Sequence, residues 1–177
     1  MHVPEALEKL EEVLGLKIHE GKPIADKDFT FLVSKPDGFI DDDKLVIVKC
    51  PKQRENRSLE SLAKSDKQFC LQILNNILQL SSDHDYYYQV QGDLRICDKD
   101  LCYFVVWTQT EFYYQLVQRD RQVWDGVMVH RLKEFYRYDL LNNNSLCNIL
   151  LGIVSLMKNG EYQTSHKSNS NVNVLKF

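Results

Sequence analysis

Residues 35–51 read KPDGFIDDDKLVIVKCP. Pro-Asp-Gly at 36–38 is strong turn chemistry: proline presets φ, aspartate bonds its own backbone, and glycine accepts positive φ. The three acids at 41–43 mark a second turn. KLVIVKC at 44–50 is β-branched and nearly all apolar, the composition of a strand buried on both faces, and Pro51 ends it. The segment reads as two strands folded back on each other. Asp37 opens the first and Lys49 closes the second. Side chains two apart on a strand share a face, so residue 47 points the same way as Lys49. Residue 47 is isoleucine.

The flanking sequence supplies helices and further strands. PEALEKLEEVLG at 4–15 places Leu7, Leu10, Val13 and Leu14 on one face, with Pro4 in the first turn and Gly15 as a stop. LKIHE (16–20) and the residues from Phe29 to Ile40 read as strands. A basic, polar loop at 51–57 leads to a short helix after Ser58. FCLQILNNILQLS (69–81) reads as two strands about Asn75–Asn76, a hairpin signal, with a helix as the alternative. SDHDYYYQVQGDLRIC (82–97) predicts a helix capped by Ser and Asp. LCYFVVWT (101–108) is a second buried strand, and EFYYQLVQRD (111–120) alternates as a half-exposed one. RQVWDGVMVHRLKEFYRYDLL (121–141) puts Trp124, Val127, Met128, Leu132 and Phe135 on one helical face. This order predicts an α/β (α+β) domain with a central mixed β-sheet flanked by helices. The expected organisation is a domain over 1–140, a helix over 141–158 packed on it, and a flexible polar tail over 159–177.

With 177 residues, 44% hydrophobic and 27% charged, the chain can build one real core. The net charge of −3 and pI near 5.9 exclude a generally basic surface, so any nucleic-acid contact must come from a local patch. Five cysteines without CxxC spacing, and five scattered histidines, argue against a disulfide framework and against zinc. They fit an intracellular protein, nuclear or cytoplasmic. The apolar run at 146–157 is too short to cross a bilayer, so no membrane contact is expected.

Asp37 and Lys49 suggest a particular chemistry. Metal-dependent phosphodiester cleavage needs carboxylates to hold Mg²⁺ or Mn²⁺, a metal-activated water, and a cation that stabilises charge at the phosphate. A strand hairpin assembles these compactly: one Asp before the first strand, then a Glu and a Lys two apart on the second. Here Ile47 stands where the Glu belongs. Asp41, Asp42 and Asp43 cannot replace it, because Asp43 lies about 20 Å from Lys49 along the strand. Asp85, one helical turn before Gln89, is the possible substitute.

These residues carry a resemblance. The chain resembles the viral recombinase (YqaJ-type) exonucleases, relatives of the lambda-phage exonuclease with the restriction-endonuclease-like (PD-(D/E)xK) fold. That family has SPDG, then a strand ending EIKCP or EVKCP; this chain has KPDG at 35–38 and IVKCP at 47–51. The family helix DYYYQVQGQL is DYYYQVQGDL at 85–94 here, its strand ending VVWT matches CYFVVWT at 102–108, and its LekFY helix matches LKEFY at 132–136. The motifs are collinear over roughly residues 3 to 137. The resemblance implies Asp37 and the Val48 carbonyl as metal ligands, Lys49 as the catalytic lysine, and Gln89 as a residue that positions water, metal or phosphate. It also implies a Glu on the first helix where Val3 stands. Two acidic positions, 47 and 3, are therefore apolar. No bound cofactor is expected, or Mg²⁺ or Mn²⁺ if the site is active.

Lys49, Lys52, Arg54 and Arg57 form the dense basic patch near the site. In the family this segment borders the DNA channel, which implies weak, sequence-independent DNA contact here. Members of the family often form ring-shaped trimers, so a homo-oligomer is a further implication. Three readings stay open: a pseudo-nuclease that binds DNA or protein, an active Mg²⁺-dependent exonuclease with a relocated carboxylate, and a purely protein-interacting domain. The bland readings stand beside them. Pro-Asp-Gly alone is a turn, Lys49 alone a solvated strand end, and of Tyr86, Tyr87 and Tyr88 at least one belongs to the core.

Overall fold

The structure is a computed structural model that describes residues 2–51, 57–137 and 172–176. Helix α1 (Val3–Leu14) is followed by four short strands: β1 (His19–Glu20), β2 (Ile24–Ala25), β3 (Val33–Ser34) and β4 (Gly38–Ile40). Then come β5 (Lys44–Lys49), α2 (Leu59–Ser65), β6 (Leu71–Leu74), β7 (Ile77–Leu80) and α3 (Asp85–Ile96). Strands β8 (Leu101–Trp107) and β9 (Glu111–Gln118) precede a helical stretch. That stretch comprises α4 (Arg121–Val123), a π-helical turn (Trp124–Met128) and α5 (Val129–Phe135); the last strand is β10 (Val172–Lys176).

The main sheet has the order β1-β4-β5-β8-β9-β10. Strands β5 and β8 run parallel, with Ile47 opposite Phe104, and the other neighbours are antiparallel. This is the mixed sheet that the sequence predicts, with 44–49 in its interior. A parallel pair needs a crossover, and residues 57–100 supply it through α2, the β6–β7 hairpin and α3. Every residue from Leu45 to Val48 is buried, as the β-branched run requires. Leu45 and Ile47 pack towards α3, with Tyr87, Val90 and Leu94. Val46 and Val48 pack towards α1, with Ala6 and Leu10. The two cores make a three-layer arrangement, helix on sheet on helix.

Several local expectations hold. Gly15 ends α1 at φ 65°. Ser58 caps α2, its side chain accepting from the Ser61 N–H. Asn75 and Asn76, both at positive φ, form the two-residue turn of the β6–β7 hairpin, so the hairpin reading prevails over the helix. Of the three tyrosines, Tyr87 is the core residue.

Others are corrected. The N-cap of α3 is His84, whose Nδ1 accepts from the Tyr86 N–H at 3.0 Å; Ser and Asp do not cap it. Strand β9 is buried along Glu111–Tyr114 and at Val117 instead of half-exposed, because both its faces meet core and β10 pairs along its edge. Within the stretch expected to be a flexible tail, Val172–Lys176 pair with β9, Val174 opposite Tyr113; the alternating VNVLK suits a strand despite its polar surroundings. The expected helix at 141–158 lies outside the described residues. No helix among the described residues is long and apolar enough to cross a membrane.

Candidate functional site

The antiparallel register of β4 on β5 sets Gly38 opposite Val46, which places the residue before β4 beside the end of β5. That residue is Asp37. Its N–H donates to the Val46 carbonyl at 3.0 Å, and its own carbonyl accepts from the Gly21 N–H at 3.3 Å. Its Oδ2 accepts from the Val48 N–H at 2.7 Å. The carboxylate is thus fixed to the backbone of Val48, the residue whose carbonyl the resemblance implies as a ligand. Gly21 is required for this approach, since a Cβ there would lie 1.8 Å from the Pro36 oxygen.

Lys49 ends β5 on the face that Leu45 and Ile47 share. Its Nζ donates to Gln89 Oε1 at 2.8 Å and lies 4.4 Å from the centre of the Tyr86 ring. Burial lowers the pKa of this ammonium, while the Asp37 carboxylate, and after it that of Asp93, favour the charged form. Residues 37, 48, 49 and 89, distant in sequence, are therefore brought together.

Asp93 is the residue that sequence reasoning missed. It sits one turn after Gln89 on α3, on the same side of the helix. The Ser34 and Gln89 side chains both bear on the titration of its carboxylate. Burial raises its pKa, the Ser34 hydroxyl, the Lys49 charge and Gln89 oppose that rise, and Asp37 adds to it. Ser34 is buried on β3, and the Cys97 thiol donates to its hydroxyl at 3.4 Å. The segment leading into β3 is held over α3 by Arg95, which reaches the fully buried Asp26 at 2.8 Å and also Asp28. Two signals in the sequence could have revealed Asp93: its i+4 spacing from Gln89, and the Asp in DYYYQVQGDL where the family string has Gln.

The remaining predicted residues lie as follows. Ile47 is 2% exposed and belongs to the apolar core under α3. Val3 packs against the other core, on the α1 side of the sheet. Asp85 lies one turn before Gln89, where its charge bears on the Tyr86 and Tyr88 hydroxyls, whose pKa rises chiefly through burial. Asp41 and Asp43 pair with Lys44 at the opposite end of β5. Arg57 donates to Ser65 Oγ at 3.2 Å; Lys52 and Arg54 lie outside the described residues. Burial pushes the Cys70 thiol up to about 12, which leaves it protonated at neutral pH.

The oxygen donors present (Asp37, Asp93, Gln89, the Val48 carbonyl) are of the kind Mg²⁺ takes. Their arrangement does not fit the metal, however. Among the described residues no group of three or more His, Cys, Asp or Glu side chains could hold an ion. Ile47 fills the position of a carboxylate with a branched alkyl group, and the Gln89 oxygen is already engaged by Lys49.

With this geometry in place, comparison with known proteins gives the fold. No protein-family model matches the chain, and no curated protein matches it. Among solved structures it is similar to an alkaline exonuclease from Laribacter hongkongensis, with a TM-score of 0.54 and 16% identity over 89% of this chain and 69% of that one. It is likewise similar to that exonuclease in complex with dAMP, with a TM-score of 0.53 and 17% identity over 89% and 68%. The chain therefore has a nuclease-like, restriction-endonuclease-like fold, as the collinear motifs implied. At this identity the likeness establishes the fold and leaves the activity to the site.

Proposed function

We propose that this chain is a pseudo-nuclease: a nuclease-fold domain that no longer hydrolyses phosphodiesters and acts as a DNA-binding module. The observation that carries the reading is Ile47, buried in the apolar core at the position where the hairpin chemistry requires a carboxylate. A metal held by Asp37 and neutral donors alone would be bound poorly, and losing one ligating carboxylate removes charge stabilisation on the order of a thousandfold or more in rate. That a neighbour of the same fold was crystallised with dAMP supports a nucleic-acid ligand over a protein one.

The experiment is incubation of linear double-stranded DNA with Mg²⁺ or Mn²⁺, beside a binding titration at low salt. The expected result is intact DNA and weak, salt-sensitive binding. Digestion that disappears in Asp37→Ala overturns the reading. Failure to bind at low salt removes DNA as the ligand and leaves a protein-interacting domain.

A second reading is an active Mg²⁺-dependent exonuclease with a relocated carboxylate. Asp93 favours it, because its charge bears on Lys49 from the helix instead of from the strand. Under that reading Asp93→Asn abolishes digestion as fully as Asp37→Ala does.

A further inference from the structure

The β6–β7 hairpin has one anchored end and one exposed end. At its foot the Ser81 N–H donates to the Cys70 carbonyl at 2.9 Å and the Leu80 N–H donates to Gln115 Oε1 at 2.8 Å. Cys70, Leu71 and Leu80 are buried there in the core. The foot also borders the candidate site. His84 Nε2 donates to the Gln68 carbonyl at 3.2 Å, its ring lies 4.8 Å from that of Tyr86, and Tyr86 in turn meets Lys49. Side chains alternate along the paired strands. Leu71, Ile73, Leu78 and Leu80 therefore share the face of the hairpin turned to the core. Gln72, Leu74, Ile77 and Gln79 share the other face. On it Leu74 is 50% exposed and Ile77 40% exposed, directly opposite each other beside the Asn75–Asn76 turn. Neither the turn nor the core requires aliphatic residues at those two positions.

We propose that the tip of this hairpin is a minor-groove wedge for duplex DNA, in which Leu74 and Ile77 insert at a base step while the neighbouring Gln and Asn amides face the groove edges. Charge selects the partner. Residues 49–80 hold six Lys and Arg against three Asp and Glu, a net charge of +3 within a chain of −3, so the remaining residues carry −6. The hairpin thus belongs to the one stretch whose charge suits a polyanion. A two-stranded ribbon can enter a groove, and Leu and Ile are among the side chains that wedge between base steps and unstack them. Asn and Gln amides both donate and accept, as the minor-groove edges require. A protein partner fits less well, because two side chains fall far short of the roughly 800 Å² per partner that a stable protein interface buries. This rests on the DNA-binding reading above and deepens it, by adding a contact to the bases to those made with phosphates.

The test is a titration of the full chain, at several salt concentrations, on a short duplex with 2-aminopurine at a central step, a base whose fluorescence rises when it unstacks. Wild type should bind and raise the fluorescence. Leu74→Gln/Ile77→Gln should melt within a few degrees of wild type, since both side chains are exposed. It should bind on the order of tenfold more weakly, because two aliphatic side chains lose their burial against the bases. The fluorescence rise should vanish, and the salt dependence should stay the same because no phosphate contact is lost. Should the double variant melt much lower, the single variants Leu74→Gln and Ile77→Gln take its place. Wild-type binding without a fluorescence rise overturns the wedge and leaves the DNA-binding reading intact, as does a double variant that binds and unstacks like wild type. A double variant changed only in its mass in solution makes the tip a contact between copies of this chain, which overturns the wedge as well. Failure of wild type to bind the duplex at low salt defeats the DNA-binding reading itself.

Discussion

Gln89 on α3 holds Lys49 at the end of the central strand. Its amide oxygen accepts from the ammonium at 2.8 Å, and the same side chain bears on the titration of Asp93 one helical turn further on. The parallel pairing of β5 with β8 and the packing of α3 over them bring these three residues to one place. A side chain of similar size without polar atoms should leave the partly buried ammonium short of its acceptor. Gln89→Leu is expected to cost roughly 1–3 kcal/mol, measured as a lower urea midpoint at an unchanged slope.

Asp93 should give stability a pH dependence of known sign. Burial raises its folded-state pKa above 3.8, so the native protein holds this proton more tightly than the unfolded chain does. The stability associated with the group is fully present below 3.8 and declines as pH rises through the folded value. Asp93→Asn cannot titrate. Wild type should therefore lose stability relative to Asp93→Asn between pH 4 and pH 7, as read from melting temperatures of both proteins. Lys49 does not confuse the result, because its lowered pKa makes stability rise with pH in the alkaline window below 10.5. A constant difference between the two proteins across the acidic range would show that Asp93 is as well solvated folded as unfolded.

Gly21 should prove more sensitive than Gly15, although neither touches the other cluster residues through a side chain. A Cβ at Gly21 would lie 1.8 Å from the Pro36 oxygen and 2.7 Å from the Pro36 carbonyl carbon. Backbone must move, and Asp37 follows Pro36 directly. At Gly15 the added atom meets nothing within 4 Å, and only the φ of 65° resists it. Gly15→Ala is expected to cost about 1 kcal/mol, and Gly21→Ala about 1–3 kcal/mol. Equal melting temperatures for the two variants would contradict the close approach that positions Asp37.

The part of the fold legible in the sequence was the part with period and punctuation. LVIV between an acidic turn and Pro51 identified the central strand, and Asn75–Asn76 identified a hairpin turn, because both depend on local sterics. The junction of Asp37, Val48, Lys49 and Gln89 came from the hairpin geometry and the motif order. Three features were not legible. The N-cap by His84 replaces the commoner Ser or Asp with a ring nitrogen that no cap preference ranks highly. The pairing of Val172–Lys176 with β9 joins segments more than fifty residues apart, and composition carries no record of such pairing. Asp93 was hidden because the apolar residues at 47 and 3 direct the search for an acid to the first turn of the helix, at Asp85. The helix acid whose charge bears on Lys49 lies instead one turn after Gln89, and only the depth at which α3 crosses β5 and β8 decides between those turns.

DNA binding, if it follows the proposed function, should be electrostatic. A local basic patch on a chain of net charge −3 binds by releasing counterions from phosphates. Replacing Lys52, Arg54 and Arg57 together by Gln should weaken binding uniformly across sequences. It should also flatten the dependence of log affinity on log salt by roughly 0.9 for each phosphate that is no longer neutralised. An unchanged slope in a binding titration at several salt concentrations would exclude this patch as the DNA-binding surface.

The final prediction concerns restoring the missing acid. Ile47→Glu introduces a carboxylate on the same strand face as Lys49, next to Asp37 and Asp93. The site is apolar on the strand side, where Ile47 is 2% exposed among Leu45, Tyr87 and Phe104. The new group should therefore have a raised pKa and destabilise the fold by roughly 3 kcal/mol. The added negative charge on the strand face below Asp37 favours a divalent cation, which has two charges to offer. The variant should melt below wild type without metal and recover part of the loss when Mg²⁺ or Mn²⁺ is added, because an ion that binds only the folded state shifts the equilibrium towards it. Wild type should recover nothing under the same conditions. Melting curves of both proteins with and without metal provide the measurement. A variant that gains nothing from metal would mean that Asp37, the Val48 carbonyl and position 47 no longer converge on one ion. The next position to restore would then be Val3 on the opposite face of the sheet, where the second acidic position of the family is also apolar.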